Sequence, residues 1–409
     1  MNKYLIAIGM FIAIPVFAQD ADWKPSETST ITGRQLEVYH HGVKPEWGYK
    51  EPQQDTFIVV HPKVERTNAP LYVVLHSAGE DVHAAVNCIK TVGNHDIYRS
   101  PDDFYALYLD CRANKDKGDW WWGAPKSLEE NTDPKVLNPV EKRMLDTVRW
   151  VMKKYGIDTN RVYLCGNSMG GSGTLGVGVN HGDLFAAIKA NVPAGVIHVA
   201  SRMCFPPKVR PADFKVSDPP IVIDYSAQND NWSKNHELFI KAMNDRKYAC
   251  FFYWGPFGHA NNHEKIMAVN DLINSFDWLS IKKNEPYPVF SNASSNDPIP
   301  WPKDIKDTKS GQINAFFRWK NISDTERKLE ISLFLVSATD LTTSFTIPKE
   351  AEADVSLRRI QNMKVQPNAE FAWTFGSANG NVKADAEGLI TISGLTILTE
   401  PKTLVVRSK

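Results

Sequence analysis

The chain has 409 residues, with 47 Lys and Arg against 47 Asp and Glu, 42% hydrophobic residues and 11% aromatic residues. This is ordinary globular composition; the even charge excludes a polybasic nucleic-acid binder or an acidic tail as the main theme, and 25 Pro with 24 Gly exclude collagen and low-complexity disorder. The length leaves room for one large domain and a smaller one, with a core that needs no disulfide scaffold.

The first segment reads as an export signal. Lys3 precedes an almost unbroken apolar run from Leu5 to Phe17, and Ala18 ahead of Gln19 supplies the small residue that a signal peptidase requires. Residues 1–18 are therefore expected to be a cleaved signal peptide, giving a periplasmic or secreted product. The run is shorter than the roughly twenty apolar residues of a membrane span. The next cysteine is Cys88, so no lipid-bearing cysteine follows the cut and no membrane anchor is expected. Cys88, Cys111, Cys165, Cys204 and Cys250 are odd in number and lack Cys-x-x-Cys spacing, so at least one is unpaired within the chain. Cys165, in an apolar run, is expected to be a buried small hydrophobe.

Arg34 to Tyr39 and Thr56 to His61 look like leading antiparallel strands. From Leu71 to Lys282, apolar runs alternate with amphipathic stretches: Leu71 to Leu75, Phe104 to Leu109, Val162 to Cys165, Ala187 to Asn191, Ile221 to Ser226 and Phe251 to Trp254. Near-continuous apolar runs separated by helical patterns predict a mostly parallel sheet flanked by helices, an α/β class. The clearest helix starts at Asn138, Pro139, Val140 and Glu141, a capping box with Pro at the first turn, and stops at Gly156. Residues 19–284 are expected to form this catalytic α/β domain. Residues 285–307, rich in Pro, Asn and Ser, read as a linker. Residues 308–409 read as a β-sandwich-like domain, with strand-like runs at Gln312 to Trp319, Leu329 to Phe334, Ser344 to Ile347, Ala369 to Trp373 and Leu389 to Ile392. Its aromatics Phe316, Phe317, Trp319, Phe371 and Trp373 fit core packing better than a carbohydrate-binding face.

Chemistry concentrates in three short segments. Gly166, Asn167, Ser168, Met169 and Gly170 follow a strand and open a helix, the context of a nucleophile elbow with Ser168 at its tip. A serine hydroxyl needs a histidine to take its proton and a carboxylate to hold that histidine's tautomer. His259, in the loop after the last apolar run, is the expected base, with His263, His181, His198 and His236 as weaker competitors. Asp230, just past the run ending at Ser226, is the expected acid, and Asp224 inside that run is its rival. Backbone N–H groups of Met169 and of Ser77 or Ala78 are expected to form an oxyanion hole, with the choice between the last two left open. Trp120, Trp121, Trp122 and Phe257 are the substrate-facing candidates, with buried loop packing an equal reading for the tryptophans. The long segment Val196 to Pro219 is expected to be a lid, a pocket wall or a surface-packed insertion.

The stretch from Leu71 to Leu279 resembles the α/β-hydrolase esterases of the feruloyl and acetylxylan esterase type, carbohydrate esterase family one, and the related polyhydroxyalkanoate depolymerases. The resemblance rests on Tyr155 to Tyr163 leading into Gly166 to Gly171, and on Asp183 to Ala187. It implies an exported ester hydrolase without a cofactor, with Ser168, Asp230 and His259 at the triad positions and a polysaccharide or oligosaccharide ester as substrate. His76-Ser77-Ala78-Gly79 departs from the His-Gly usual in that family, and Ala260-Asn261-Asn262 follow His259. A serine peptidase of the prolyl-oligopeptidase kind and a catalytically silent hydrolase-like binding protein are the other readings.

Overall fold

The computed structural model describes residues 23–42, 44–49, 55–93, 95–111, 120–121, 136–194, 218–234, 236–256, 258–259, 271–301, 309–341 and 345–409. The expected signal peptide, Cys204 and most of the segment 196–219 lie outside them. Strands β1 (Glu27–Ile31), β2 (Arg34–His40), β3 (Thr56–Val60), β4 (Leu71–Leu75), β5 (Tyr105–Leu109), β6 (Val162–Asn167), β7 (Ala187–Asn191), β8 (Ile221–Ala227) and β9 (Cys250–Gly255) build the main sheet with β11 (Gly311–Ile313). Its order is β1-β2-β3-β5-β4-β6-β7-β8-β9-β11. Pairing is parallel from β5 through β9 and antiparallel at both margins. The parallel strands β4, β5, β6 and β8 are buried at every position, which is why their sequences run apolar instead of alternating.

Four helices among the described residues matter for the site: α1 (Val82–Asn87), α2 (Pro139–Tyr155), α3 (Met169–Gly178) and α4 (His236–Asp245). Helix α2 forms where the capping box predicts, with the Glu141 carboxylate accepting the Asn138 N–H at 2.7 Å. Its Val140, Met144, Leu145, Val148 and Val151 are buried against one face of the sheet. Each such side chain contributes about 2 kcal/mol by leaving water. No helix among the described residues is long and apolar enough to cross a membrane.

The C-terminal region packs a three-stranded sheet, β10 (Tyr287–Ser291), β14 (Glu350–Arg358) and β17 (Ile390–Leu398), with a five-stranded sheet of β12 (Phe317–Thr325), β13 (Lys328–Leu335), β18 (Lys402–Ser408), β15 (Glu370–Phe375) and β16 (Ala378–Lys383). Three expectations are corrected. The segment 285–307 is not only a linker: Tyr287–Ser291 is a fully buried edge strand, where Pro288 is tolerated because an edge leaves one row of hydrogen bonds unused. The run Gln312 to Trp319 is two strands separated by a turn at Asn314 (φ 58°); β11 extends the main sheet while β12 enters the sandwich. In the run Ser344 to Ile347, the described residues Phe345, Thr346 and Ile347 are not in a strand, and the neighbouring strand is Glu350–Arg358.

The sandwich is fixed to the main sheet. One apolar core runs from Tyr72, Cys165, Ile223 and Phe251 through Phe276 and Trp278 to Phe290, Phe317 and Val355. Buried Arg359 donates to the carbonyls of Phe185 and Ala186 (3.0 Å each), and Arg318 to the Ser275 hydroxyl (2.6 Å). Phe316, Phe317 and Phe371 are buried, with Trp319 and Trp373 packed on the same core. Cys88, Cys165 and Cys250 are buried free thiols, and Cys111 is buried as well. Burial raises the Cys165 thiol to about 12, as befits a small hydrophobe.

Candidate active site

The chain leaves β6 at Asn167 and enters α3 at Met169, so one residue makes the whole turn. That residue is Ser168, at φ 55° and ψ −116°, a conformation that costs an L-residue about 1–3 kcal/mol. Its backbone is held from both sides: the N–H donates to Asn191 O (2.9 Å), and the carbonyl accepts from Ser172 N (3.0 Å) and Ala194 N (3.1 Å). Gly170 lets α3 start directly against β4, since a Cβ there would stand 1.9 Å from the Leu75 carbonyl oxygen. This close approach sets the Met169 N–H beside the end of β4 and the turn that follows.

The acid and the base come from the ends of the next strands. Asp230 caps a single 3-10 turn (Asn231–Ser233) after β8: its Oδ1 accepts the Trp232 N–H at 2.8 Å, and its Oδ2 lies 2.6 Å from His259 Nδ1. His259 Nε2 lies 2.7 Å from Ser168 Oγ. A carboxylate only accepts, so Nδ1 carries the proton and Nε2 is left to accept from the serine hydroxyl. Asn229 joins the two loops, its Oδ1 accepting the Gly258 N–H at 2.8 Å. The hydroxyl is therefore linked through imidazole to a carboxylate in the order nucleophilic acyl transfer needs, and the His259 side chain keeps 35% exposure while that of Asp230 has 2%.

Asp224, the rival acid, is completely buried in β8 and bonds Ser226, not His259. His236 is likewise buried, beneath the acid turn. His181 pairs with Asp183 on the surface side, 3.5 Å away, and His198 and His263 lie outside the described residues.

The turn after β4 is tied to the elbow. Ser77 Oγ donates to Asn167 O (3.0 Å) and accepts from Tyr98 OH (2.8 Å). His76 Nδ1 donates to Ser77 O at 2.8 Å, which fixes the Ser77–Ala78 peptide plane and with it the direction of the Ala78 N–H. Ser77 is buried, whereas Ala78 is exposed. The N–H groups of Met169, Ser77 and Ala78 bond no group among the described residues, as donors kept for a developing oxyanion would.

Of the two readings open for the tryptophans, Trp121 follows buried packing. Trp121 is 1% exposed, its indole N–H donates to His76 O (3.1 Å), and a Cβ on Gly173 would come within 2.5 Å of its own Cβ. It is a strut between α3 and the turn after β4 and shows no face to solvent. Trp120 is partly buried on the same core. Trp122 and Phe257 lie outside the described residues. An exposed aromatic among the described residues near His259 is Trp232: it has 54% exposure, and its ring centroid is 6.4 Å from that of His259. Sequence reading missed it as well as Asn229, although both flank the expected acid. The signal available was a large aromatic inside a polar turn, where no core awaits it.

No family model matches the chain, and no curated protein does. Among solved structures it is similar to an S-formylglutathione hydrolase from Agrobacterium tumefaciens (13% identity, 63% of this chain and 98% of that one, TM-score 0.44). It is also similar to a CE1 ferulic acid esterase from Anaeromyces mucronatus (14%, 65% and 98%, TM-score 0.42) and to an acetyl xylan esterase from Aspergillus awamori (13%, 48% and 74%, TM-score 0.33). The mostly parallel sheet, the elbow between β6 and α3, and the chain order Ser168, Asp230, His259 give the protein the α/β-hydrolase architecture.

Proposed function

We propose that this chain is an exported serine hydrolase that cleaves carboxylic esters, removing acyl groups such as acetyl or feruloyl from a polysaccharide or oligosaccharide. The observation that carries the reading is the hydrogen-bonded line from Ser168 Oγ through His259 to Asp230 Oδ2, at 2.7 and 2.6 Å. Ser168 Oγ attacks the ester carbonyl carbon as His259 Nε2 takes its proton. The carbonyl oxygen becomes an oxyanion on the N–H groups of Met169 and of Ser77 or Ala78. Collapse expels the sugar alcohol, which receives its proton from His259, and leaves acyl-Ser168. Water, deprotonated by the same imidazole, attacks the acyl carbon; the bond to Ser168 Oγ breaks, His259 returns the proton to that oxygen, and the acid is released. Trp232 supports a ring-bearing substrate, because an indole exposed beside the imidazole offers a stacking face to a sugar or an aromatic acyl group.

The test is turnover of nitrophenyl acetate, methyl ferulate, acetylated xylan and a prolyl peptide. Ester hydrolysis is expected, with Ser168→Ala lowering kcat about a millionfold. Peptide cleavage without ester turnover would replace the reading with a peptidase, and a Ser168→Ala protein near wild-type rate would remove that residue from the chemistry.

A further inference from the structure

Beneath the acid turn lies a second group of Asp, Ser and His that the reaction does not use. Ser226 Oγ stands 2.9 Å from Asp224 Oδ1 and 2.8 Å from His236 Nε2, and His236 Nδ1 bonds the Ser233 carbonyl. Asp224, Ser226 and His236 are each 0% exposed. The Ser233 carbonyl can only accept, so Nδ1 carries a proton. Two placements of the remaining protons satisfy the line. In one, Asp224 is ionised and His236 is an imidazolium 3.8 Å from its second oxygen. In the other, Asp224 is a neutral acid that donates to Ser226, whose hydroxyl donates to neutral His236 Nε2.

Asp224 Oδ2 decides between them. It is buried and has no hydrogen-bond donor among the described residues. A carboxylate oxygen left without a donor in an apolar interior is far costlier than the carbonyl oxygen of a neutral acid. Burial favours the neutral form of both groups: it pushes the Asp224 carboxyl well above the ordinary range and lowers His236 to about 4.

We propose that Asp224 is a protonated positioning residue whose hydrogen bond starts a neutral line, Asp224 to Ser226 to His236 to the Ser233 carbonyl, that holds the turn carrying Asp230. The far end of the line is firmly tied to that turn. Ser233 N–H donates to Asp230 O (3.1 Å), and the Ser233 hydroxyl lies 2.7 Å from Ala227 O and 2.8 Å from Asp230 O. Trp301 Nε1 donates to the same hydroxyl at 3.1 Å. Withdrawing His236 from the Ser233 carbonyl would remove one of the bonds that fix the turn carrying Asp230. With Asp224 discharged, Asp230 is also the carboxylate that meets the imidazole.

The inference rests on the triad reading, so its test has readouts that need no turnover. In the infrared difference spectrum between wild type and Asp224→Asn at neutral pH, the proposal expects the carbonyl stretch of a protonated carboxyl; carboxylate bands alone would overturn it. The downfield proton resonance of His259 Nδ1–H, recorded without substrate, reports the Asp230 bond directly. It should persist in Asp224→Asn, whose amide still donates to Ser226, and be lost in Asp224→Leu. Persistence in both variants would overturn the positioning role. On nitrophenyl acetate, Asp224→Leu should lower kcat on the order of a hundredfold, as misplacement of a catalytic group does, with Asp224→Asn restoring it. A protein inert on every ester that still shows the carboxyl band and this resonance pattern would refute the esterase reading and leave the proposal standing.

Discussion

Two sets of the same three side-chain types meet around the turn that follows β8, and they do different things. In Ser168, His259 and Asp230 the imidazole is central, so a hydroxyl proton can pass to a base whose other nitrogen is already held by a carboxylate. In Ser226, His236 and Asp224 the hydroxyl is central and the imidazole ends on a backbone carbonyl, so no carboxylate braces it. Access separates them further, since the second set is sealed from solvent while the imidazole of the first is one-third exposed. Side-chain inventory is thus a poor guide to activity; connectivity and access decide. The contrast is broken most directly by substitution of each acid. Asp230→Asn should lower kcat by about ten thousandfold through loss of the required tautomer, against near-complete retention for Asp224→Asn. Nitrophenyl ester turnover measures both, and equal losses would erase the distinction.

The first set is legible in the sequence because its parts have local signatures. An elbow needs small residues around Ser168 between a strand and a helix, and the acid and base fall just past apolar runs. The second set is legible only as an objection to Asp224, an acid inside a buried strand; its partners Ser226 and His236 are brought together by folding. The same division holds for the fold. Strands buried on both faces announce themselves, as Leu71–Leu75 and Ala187–Asn191 do with unchanged bounds. Strand β14 hides because small Ala351 and Ala353 fill its inward positions, and edge strand β16 because Ala378 to Lys383 is mostly exposed and carries a single large apolar residue, Val382. The role of Gln312 is unreadable for another reason: it bonds Asp297 and Ser295 as β11 crosses to the main sheet, a choice made by tertiary pairing.

Trp232 sharpens the comparison from the substrate side, because the accessible set has an exposed aromatic at its rim. Trp232→Ala should raise KM about tenfold for methyl ferulate or a xylan ester through lost stacking, with nitrophenyl acetate unchanged in kcat. An equal fall in kcat for small and large esters would instead mean that the indole shields His259 and takes no part in binding.

Acid–base linkage gives the finest test of the sealed set. A histidine lowered to about 4 contributes stability that is present above its unfolded value near 6.5 and is lost as pH falls toward 4. An aspartic acid raised on folding does the opposite: its contribution is present below about 4 and is lost as pH rises. Between about pH 4 and 6.5 the unfolded chain keeps one proton on His236 and the folded chain keeps one on Asp224, so the two slopes cancel in the wild type. Burial raises both Cys250 and Tyr225 beside them, so neither titrates in that window. Asp224→Asn removes one side of the balance. Measured by urea unfolding, its stability relative to wild type should climb by about 1.4 kcal/mol per pH unit from about pH 4 upward. A difference independent of pH would mean that folding does not raise the Asp224 carboxyl, and the sealed set would then hold its turn without the proton assigned to it.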